Sequence, residues 1–599
     1  MNNNILIITA AIFGVICLIV YLLDSRVNLN KIKSKKVGDN QFGSADWATP
    51  KELANRFKLI KFEPENWRQG INLPMESGTI LGTKVKGGQL YAYLDTTDNH
   101  TEFVSAPSGG KTESLLYPNL EYIGAAGMSV FCTDTKGKVY KDFVPVLRDY
   151  YNFKCTVIDL RYPNQSDCIN LMGLVNKYMD AYLGQGQLAD KAKAEAYAKN
   201  LARTIIHMEG FKSAGQNQFF YDTAEAVISA ITILCAELCP WQQRHIVSVF
   251  KIIRQLIEVD PSTQGKKDVQ PQLYLQQLYK YLPENHISKD LLAPSATADY
   301  RTLSSIVGTA MSKLMSFIDS EVEQLICFDG ELDIEEFAKG KQAIFFVVDE
   351  KFGTRNFIIS LLVKQIYGEL IKISDFKDNN KLDVRCKFEM DEFGTYDAIE
   401  NADGMLSAGR SRDIIFDLYL QTLSQLKDKY GRDKAETMEG CCQNLMFSFQ
   451  SPTSPDLKRF EEILGPSTVM TGSISKRASG SGGANESTSY SMTKKPLMSA
   501  DEISSELGRG NWIFKSPGMH PGKMQLLKAS DWGITFSEKY SIESKADRKV
   551  EYASRDELIS EVRKKYPQYY YTEKTTAPAP KPSTKSSDTA NIEEEWFNK

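Results

Sequence analysis

The stretch that decides the fold is residues 100–120, His100-Thr-Glu-Phe-Val-Ser-Ala-Pro-Ser-Gly-Gly-Lys-Thr-Glu-Ser-Leu-Leu-Tyr-Pro-Asn-Leu120. A short β-prone run, Thr101 to Val104, leads into a turn of small residues that ends at Gly110. Lys111 and Thr112 then open a segment whose apolar residues recur at helical spacing. A strand, a glycine-rich turn and a helix in this order are typical of a phosphate-binding loop.

The candidate loop consists of Ser105, Ala106, Pro107, Ser108, Gly109, Gly110, Lys111 and Thr112. The two glycines let backbone N–H groups turn inward, and the helix N-terminus adds partial positive charge. Lys111 is expected to reach the β- and γ-phosphates, and the Thr112 hydroxyl to ligate Mg²⁺. The first glycine of the pattern G-x-x-x-x-G-K-[ST] is here Ser105. The loop alone is therefore also compatible with a turn that merely uses glycines.

Length and charge limit the function classes. A chain of 599 residues predicts more than one domain, about two to four by the usual size range. Its 25% charged and 42% apolar residues are typical of a globular protein. The net charge of −4 excludes a general polycation, so any contact with nucleic acid requires a local basic surface.

The N-terminal region contains a candidate membrane anchor. Ile5 to Leu23 is an uninterrupted run of mainly apolar residues, long enough at 1.5 Å per residue to span roughly 28 Å of hydrocarbon. No charged side chain precedes it, and five basic residues follow, Arg26, Lys31, Lys33, Lys35 and Lys36. This asymmetry predicts a single span with the N-terminus outside and the bulk of the chain in the cytoplasm. A cleaved signal or a buried core helix is the alternative.

Ten cysteines are scattered along the chain without paired C-x-x-C sets, and the histidines are few. Most lie in apolar runs, where buried reduced thiols are expected. The cysteines therefore give no support to a metal cluster or to thiol catalysis.

Short apolar runs alternate with helical segments on both sides of a long helical region. Met128 to Asp134, Cys155 to Asp159 and Ala343 to Val348 are of the buried-strand type and predict a parallel α/β sheet. Between about residues 170 and 330 the apolar spacing is helical instead. We interpret this block as an all-helical insertion in the α/β domain.

Two adjacent carboxylates, Asp391 and Glu392, end an extended segment that begins at Arg385. In nucleoside triphosphatases an Asp at a strand end holds Mg²⁺ through water, and the next Glu polarises the attacking water. A solvated strand end would look the same in isolation. The pair gains specificity because it follows a candidate phosphate loop and a resumed sheet.

Arg410 and Gln421 flank the next β-prone run, Ile414 to Leu420. An Arg offered by a neighbouring subunit can stabilise transition-state charge on a γ-phosphate, and a Gln at a strand end can sense that phosphate. On local sequence alone, a solvated basic loop is the favoured interpretation of Arg410 and Arg412.

The order of these segments closely resembles that of TraG/TraD-type coupling proteins, the ATPases of type IV secretion and conjugation systems. In chain order the shared motifs are Gly43-Ser-Ala-Asp-Trp-Ala48, the candidate loop with Tyr117-Pro-Asn-Leu120, Asp134-Thr-Lys-Gly137, Met390-Asp-Glu-Phe-Gly394, Gly409-Arg410, Gln421-Thr-Leu-Ser-Gln-Leu426 with Tyr430-Gly431, and Lys495-Pro-Leu-Met-Ser-Ala-Asp-Glu-Ile503. The resemblance covers roughly residues 40–535. Each motif is weak, and their joint occurrence in this order is specific.

The resemblance implies the site residues by motif position. Lys111 and Thr112 are expected to bind nucleotide phosphates and Mg²⁺. The Asp391-Glu392 pair corresponds to the metal-linked and catalytic carboxylates. Arg410 corresponds to the finger that acts in trans, and Gln421 to the γ-phosphate sensor.

The resemblance also implies cofactors and partners. The cofactors are ATP and Mg²⁺, and the assembly is a homo-hexameric ring at the inner face of the cell membrane. The partners are a relaxase–single-stranded DNA complex, or a secreted protein substrate, and the proteins of the type IV secretion channel.

The predicted fold class is α/β: a RecA-like P-loop NTPase domain with an inserted all-α domain, an N-terminal transmembrane helix and a disordered C-terminal tail. Tail disorder is predicted because the Pro-, Thr- and Lys-rich segment from Thr575 cannot pack a core. The predicted bounds are 1–24 for the anchor, 25–95 for a juxtamembrane linker and small β entry region, 96–170 and 331–545 for the two parts of the nucleotide-binding domain, 171–330 for the all-α domain, and 546–599 for the flexible tail.

Two other functions fit parts of this pattern. One is a substrate receptor that binds nucleotide but is mainly non-catalytic, which the intact Lys111, Thr112, Asp391 and Glu392 disfavour. The other is a double-stranded DNA pump of the FtsK type, which the large helical insertion and the Asp134-Thr-Lys-Gly137 turn disfavour. A long mobile loop is also predicted from Ser473 to Ser491, because it is rich in Gly, Ser and Thr.

Overall fold

The chain folds into an α/β unit and a helical unit. The computed structural model describes residues 12–16, 35–36, 40–207, 217–261, 272–349, 353, 355–478, 484–536, 539–542 and 548–569. The α/β unit comprises Met1–Asp167 with Glu331–Lys545, and the helical unit comprises Cys168–Gly330 with Ala546–Lys599.

The strands of the described residues form three sheets. They are β1 (Lys35–Lys36), β2 (Lys58–Lys61), β3 (Thr79–Lys86), β4 (Gln89–Asp95), β5 (Thr101–Val104), β6 (Ser129–Asp134), β7 (Lys154–Asp159), β8 (Gln342–Val347), β9 (Cys386–Met390), β10 (Ile414–Leu420), β11 (Asn444–Phe447), β12 (Pro466–Ala478), β13 (Ala484–Pro496), β14 (Asn511–Lys515) and β15 (Gly522–Gln525).

The α-helices within the described ranges surround the sheets or form the helical unit. They are α1 (Pro50–Arg56), α2 (Pro64–Trp67), α3 (Tyr117–Ala126), α4 (Val139–Pro145), α5 (Gly173–Gln185), α6 (Leu188–Ile206), α7 (Gln218–Leu238), α8 (Ile246–Leu256), α9 (Tyr274–Tyr281), α10 (Ile287–Ala296), α11 (Tyr300–Leu314), α12 (Ser320–Ile326), α13 (Ile334–Lys339), α14 (Phe357–Asp375), α15 (Ala402–Gly409), α16 (Ser424–Tyr430), α17 (Arg432–Cys441), α18 (Asp456–Leu464), α19 (Ala500–Glu506) and α20 (Arg555–Lys565).

The main sheet has nine strands in the order β15-β14-β11-β5-β10-β9-β6-β8-β7. The seven strands from β11 to β7 pair in parallel, and β14 and β15 add antiparallel at one end. Every residue of β6 and β10 is buried, as expected for central strands covered on both faces. The apolar runs that predicted strands therefore do form the sheet core, and the α/β fold class is confirmed.

A long antiparallel hairpin corrects the prediction of a loop from Ser473 to Ser491 for residues 473–478 and 484–491, while residues 479–483 lie outside the described ranges. β12 and β13 pair over their full described length, from Pro466↔Pro496 to Ala478↔Ala484. The composition misled because Ser and Thr are common in loops. Here they alternate with Ile474, Tyr490 and Met492, and a ladder of thirteen paired positions satisfies the backbone groups that a loop would leave to water.

The helical unit is built on a deeply buried helix. α7 is the one helix, among the described residues, that is long and apolar enough to cross a membrane, with a mean hydropathy of 1.5. Because 67% of its apolar window is buried inside the structure, it has the character of a core helix packed by α6, α10 and α11.

Residues 548–569, which we call the C-terminal strap, pack onto this helical unit. The Glu551 carbonyl oxygen lies 2.9 Å from Nε2 of His245, and the Ala553 N–H donates to Ser248 Oγ at 3.0 Å. Three apolar side chains of α20 are buried, Leu558, Ile559 and Val562. The prediction of a flexible tail from residue 546 is therefore wrong for residues 548–569, while residues 570–599 lie outside the described ranges.

The predicted membrane anchor falls almost wholly outside the described residues. Within the run from Ile5 to Leu23, residues 12–16 are described, and they are helical with exposed side chains.

Candidate active site

The carboxyl ends of three neighbouring parallel strands place the candidate residues at one edge of the main sheet. The register aligns Val104 at the end of β5 with Leu420 at the end of β10. It also aligns Leu418 of β10 with Met390, the last residue of β9. The segments that follow β5, β9 and β10 therefore emerge side by side, as expected for ligand sites on open α/β sheets.

The candidate loop begins with two buried residues, Ser105 and Ala106. The Ser105 N–H donates to the Leu420 carbonyl at 3.1 Å, and the Ala106 N–H donates to the Phe449 carbonyl at 2.9 Å. The backbone then takes left-handed conformations at Ser108, with φ of 65°, and at Gly110, with φ of 90°. This turn delivers the chain into a helix whose first turn, Thr112–Leu116, is widened to a π-type geometry before α3.

A close approach within the loop explains how Ser105 replaces the usual glycine. The Ser105 side chain is buried, and its hydroxyl donates to the Phe449 carbonyl at 3.2 Å. A Cβ on Gly109 would lie only 1.9 Å from Ser105 Oγ. The serine therefore fits because residue 109 has no side chain, and the turn is preserved by exchanging which position must be small.

Lys111 is enclosed in the site. Its side chain is only 6% exposed, and Nζ donates to the Ser105 carbonyl at 2.7 Å. Nζ also lies 4.0 Å from Oε1 of Glu392. Burial lowers the pKa of Lys111, and the charges of Glu392 and Asp391 oppose that shift.

Asp391 is a buried carboxylate whose backbone is held by β6, because its carbonyl accepts from Thr133 Oγ1 at 2.9 Å. Burial, with the negative charge of Glu392 next in size, raises the pKa of Asp391 to about 7, while Lys111 opposes the rise. The site thus holds a carboxyl whose ionised form needs more positive charge than Lys111 alone provides.

Glu392 and Gln421 are joined directly. Gln421 Nε2 donates to Glu392 Oε2 at 2.9 Å, across the ends of β9 and β10. The backbone of Glu392 is left-handed, with φ of 49°, a conformation that residues other than glycine rarely adopt. Such a conformation persists where surrounding contacts hold it, and it is common at functional sites.

Asp134, at the end of β6, shapes a neighbouring turn. Its carboxylate accepts from three backbone N–H groups, those of Lys136 at 3.1 Å, Gly137 at 2.7 Å and Tyr140 at 3.0 Å. The carboxylate is therefore committed to the turn. The turn that this carboxylate holds brings Lys136 and Lys138 to the cleft.

A cleft of about 520 Å³ lies between these segments. Its lining residues are Ser108, Gly109, Gly110, Lys111, Thr112, Glu113, Ser114, Asp134, Thr135, Lys136, Lys138, Val139, Asp391, Glu392, Arg509, Gly510, Leu526, Leu527, Lys528 and Asp531. Four of these are basic side chains other than Lys111. A cleft with a glycine-rich helix entry and several cations is suited to a polyphosphate.

The predicted site residues differ in where they lie relative to the cleft. Of the loop, residues 108–112 line the cleft, Ser105 and Ala106 lie buried beneath it, and Pro107 is exposed beside it. The Asp391-Glu392 pair also lines the cleft, and Gln421 reaches the site through Glu392.

Arg410 is not part of this assembly. It lies in the short 3₁₀ turn Arg410–Arg412 that precedes β10, at the amino end of the strand whose carboxyl end carries Gln421. The seven residues of β10 separate the two ends by roughly 20 Å at about 3.3 Å per residue. Within the described residues, the buried Nε of Arg410 has no hydrogen-bond partner.

Arg509, Lys528 and Asp531 line the cleft but were not predicted as site residues. They lie next to β14 and β15, about 400 residues after the loop, and only the strand order brings that end of the sheet near β5. No local motif marks them. The family motif Asp134-Thr-Lys-Gly137 did, by contrast, mark the turn that carries Lys136.

Comparison with known proteins identifies relatives in sequence and in structure. The conjugal transfer protein TraG of Rhizobium radiobacter is 23% identical over 219 residues, which cover 35% of this chain and 33% of that protein. The chain thus matches about a third of the length of this curated relative.

Two solved structures of the plasmid coupling protein TrwB have the same fold. The complex of TrwB with the non-hydrolysable ATP analogue ADPNP has a TM-score of 0.52 at 13% identity, covering 84% of this chain and 99% of that one. The complex with ADP and Mg²⁺ has a TM-score of 0.50 at 14% identity, with the same coverage of 84% and 99%. At these identities the similarity shows the fold alone.

The family model described as Type IV secretory system Conjugative DNA transfer matches residues 58–525, which is most of the chain. This match confirms the resemblance that the motif order had indicated. The chain belongs to the type IV secretory system conjugative DNA transfer family.

Proposed function

We propose that the protein is a membrane-anchored ATPase, the coupling protein of a type IV secretion or conjugation system. It recruits a relaxase–single-stranded DNA complex, or a secreted protein, and feeds it to the transfer channel by ATP hydrolysis. The observation that carries the proposal is the grouping of Lys111, Asp391 and Glu392 in one cleft beside the phosphate loop of a conjugative DNA transfer family member.

The loop binds the phosphates of ATP. Its left-handed residues Ser108 and Gly110 turn backbone N–H groups toward the cleft, next to the N-terminus of the following helix. Lys111 adds a charge to the same place. Its present acceptor is a neutral carbonyl, that of Ser105, so an anionic phosphate oxygen offers a stronger partner.

Thr112 and Asp391 are the residues that would hold Mg²⁺, Asp391 in part through water. Both line the cleft, and because burial raises the pKa of Asp391, a cation bound there would favour its ionised form. When bound, Mg²⁺ would neutralise negative charge on the β- and γ-phosphate oxygens. TrwB, which has the same fold, was solved with ADP and Mg²⁺.

Glu392 is the general base that polarises the attacking water, and Gln421 orients it. The amide of Gln421 donates to one carboxylate oxygen, which leaves the other, Oε1, on the side of Lys111. Gln421 is thereby also placed to respond to a γ-phosphate. These roles follow the arrangement of nucleoside triphosphatases in which protein groups position the nucleophile.

Arg410 completes the site of a neighbouring subunit in a homo-hexameric ring. The proposal is supported by its place at the amino edge of the sheet, roughly 20 Å from its own loop by strand length, and by its unpartnered Nε among the described residues. A cation supplied in trans makes hydrolysis depend on assembly, because an isolated chain lacks that charge in the transition state.

The experiment compares full-length protein in detergent with three variants, Lys111→Ala, Glu392→Gln and Lys458→Ala. ATP turnover is measured alone, with single-stranded DNA and with duplex DNA, and plasmid transfer is measured in cells. We expect turnover that single-stranded DNA stimulates, and a loss of about 100-fold or more in the first two variants. Lys458 is exposed and outside the cleft, so its variant is the matched control.

Three outcomes separate the alternatives. Turnover in the wild type and no transfer by Lys111→Ala support the motor function. Absence of turnover with and without DNA, together with normal transfer by Lys111→Ala, would contradict it and favour a non-catalytic receptor. Stronger stimulation by duplex than by single-stranded DNA would favour a double-stranded DNA pump.

A further inference from the structure

One side chain behind the cleft connects the two loops that carry Glu392 and Gln421. Gln425 lies in the first turn of α16, four residues after Gln421. Its Oε1 accepts from the backbone N–H of Gln421 at 2.9 Å and from that of Thr422 at 3.3 Å. One amide oxygen therefore fixes the backbone that aims the Gln421 side chain at Glu392.

The same amide also packs against the segment after β9. A Cβ placed on Gly394 would lie 2.4 Å from Cδ of Gln425, 2.6 Å from Oε1 and 2.7 Å from Nε2. The Gln425 amide thus occupies the space that a side chain at position 394 would need. Since Gly394 is two residues after Glu392, the amide contacts both loops at once.

Helix α16 supports the segment after β9 at two more points. Lys429 Nζ donates to the Phe393 carbonyl at 2.7 Å, and Tyr430 Oη accepts from the Ile399 N–H at 3.1 Å. These contacts hold residues 393–399 against the helix without touching Gln421. Among these contacts of α16, that of Gln425 reaches both loops, and it adds to the direct hydrogen bond between Gln421 and Glu392.

The backbone of Glu392 makes such support necessary. A left-handed φ of 49° in a residue with a side chain is strained and is kept only where neighbouring contacts enforce it. The Gln421 amide restrains the Glu392 carboxylate, and Gln425 restrains the backbone of both loops, at Gln421 and at Gly394.

We propose that Gln425 is a positioning residue that locks the Gln421 loop to the Glu392 loop, so that contact with the γ-phosphate and orientation of the general base occur together. The proposal rests on the proposed function, since it assumes that Glu392 and Gln421 act on bound ATP. Gln425 touches neither substrate nor metal in this role. It acts through the N–H groups that it accepts.

The test compares Gln425→Met with Gln425→Glu in the full-length protein. Methionine has a similar shape but no carbonyl oxygen, whereas glutamate keeps an acceptor oxygen at the same position. For Gln425→Met we expect a fall in kcat of about tenfold with KM for ATP changed less than about twofold, because ground-state binding is unaffected. For Gln425→Glu we expect kcat within about threefold of the wild type.

A matched control separates positioning from general destabilisation. Tyr430→Phe removes a hydrogen bond on the same helix, to Ile399, and leaves the Gln421 loop untouched. We expect this variant to lower Tm while kcat stays within about twofold of the wild type, since the helix still presents Gln425. A fall in kcat equal to that of Gln425→Met would overturn the proposal.

A double-mutant cycle gives the second readout. In a Gln421→Ala background, Gln425→Met has no side-chain amide left to aim, so it should lower kcat no further while still lowering Tm. Additive losses in kcat would overturn the proposal, and so would a Gln425→Glu variant as slow as Gln425→Met. Absence of turnover in the wild type would instead overturn the proposed function itself, so the two failures are distinguishable.

Discussion

The two edges of the main sheet differ in what they assemble. At the carboxyl edge, the segments after β5, β9 and β10 bring Lys111, Asp391, Glu392 and Gln421 into contact or into one cleft. At the amino edge, Arg410 stands apart from that group, with β10 between it and Gln421. In the proposed function, phosphate binding and activation of water therefore lie within one chain, and Arg410 is the residue that would act on the site of another chain.

The largest effect on ATP turnover that distinguishes the two edges is expected from Arg410→Ala. If Arg410 acts in trans on the transition state, turnover should fall about 1,000-fold, in the range of other arginine fingers, while ATP binding to the chain's own cleft stays intact. Steady-state hydrolysis and equilibrium binding of a fluorescent ATP analogue measure the two. Loss of ATP binding by the isolated variant would show that Arg410 serves its own site, and the difference between the edges would disappear.

A smaller effect tests how the carboxyl edge tolerates Ser105. Gly109→Ala places a methyl group 1.9 Å from Ser105 Oγ, so the loop must distort, and ATP affinity should fall about tenfold or more. The double variant Ser105→Gly with Gly109→Ala removes that clash. We expect it to regain most of the affinity. A double variant as weak as Gly109→Ala would contradict the exchange of small positions within the loop.

A further effect is on stability rather than on turnover, and it concerns Glu102, a buried carboxyl on β5, between the two edges. Burial, reinforced by Glu439, raises the pKa of Glu102 from its ordinary 4.5 to about 8. The folded state then keeps a proton that the unfolded state releases, so stability should decline as pH rises from about 4.5 to about 8. Each unit of pKa difference corresponds to about 1.4 kcal/mol.

Glu102→Gln should remove this decline. Urea unfolding at pH 6 and pH 8 measures it, and the wild type should lose more stability between the two pH values than the variant does. An equal loss in both proteins would show that Glu102 ionises normally in the fold. Burial would then not hold the Glu102 carboxyl in its uncharged form.

The sequence predicted those parts of the fold that depend on local pattern. The strands at 101–104 and 414–420 were visible as short β-prone runs, and the buried helix Gln218–Leu238 was visible from its helical spacing. The loop and the Asp391-Glu392 pair were selected from their places next to β-prone runs, and the fold brings them to one cleft, while their roles stay predictions.

Other features depend on contacts between distant segments, and no local pattern shows those contacts. The C-terminal strap is mainly polar, and its docking uses Glu551 against His245, some 300 residues away. The role of Gln425 rests on the close approach of Gly394, which only the fold creates. The hairpin of β12 and β13 was misread as a loop because its Ser and Thr residues satisfy both patterns.

Mixing two inactive variants tests whether the site is shared between two chains. Lys111→Ala lacks the phosphate-binding lysine but keeps Arg410, and Arg410→Ala keeps the lysine. In mixed assemblies some interfaces combine an intact loop with an intact arginine. We predict that ATP turnover, absent in each variant alone, returns on mixing to about a quarter of the wild-type rate. Equal mixtures that stay inactive, although both variants co-assemble, would contradict the account.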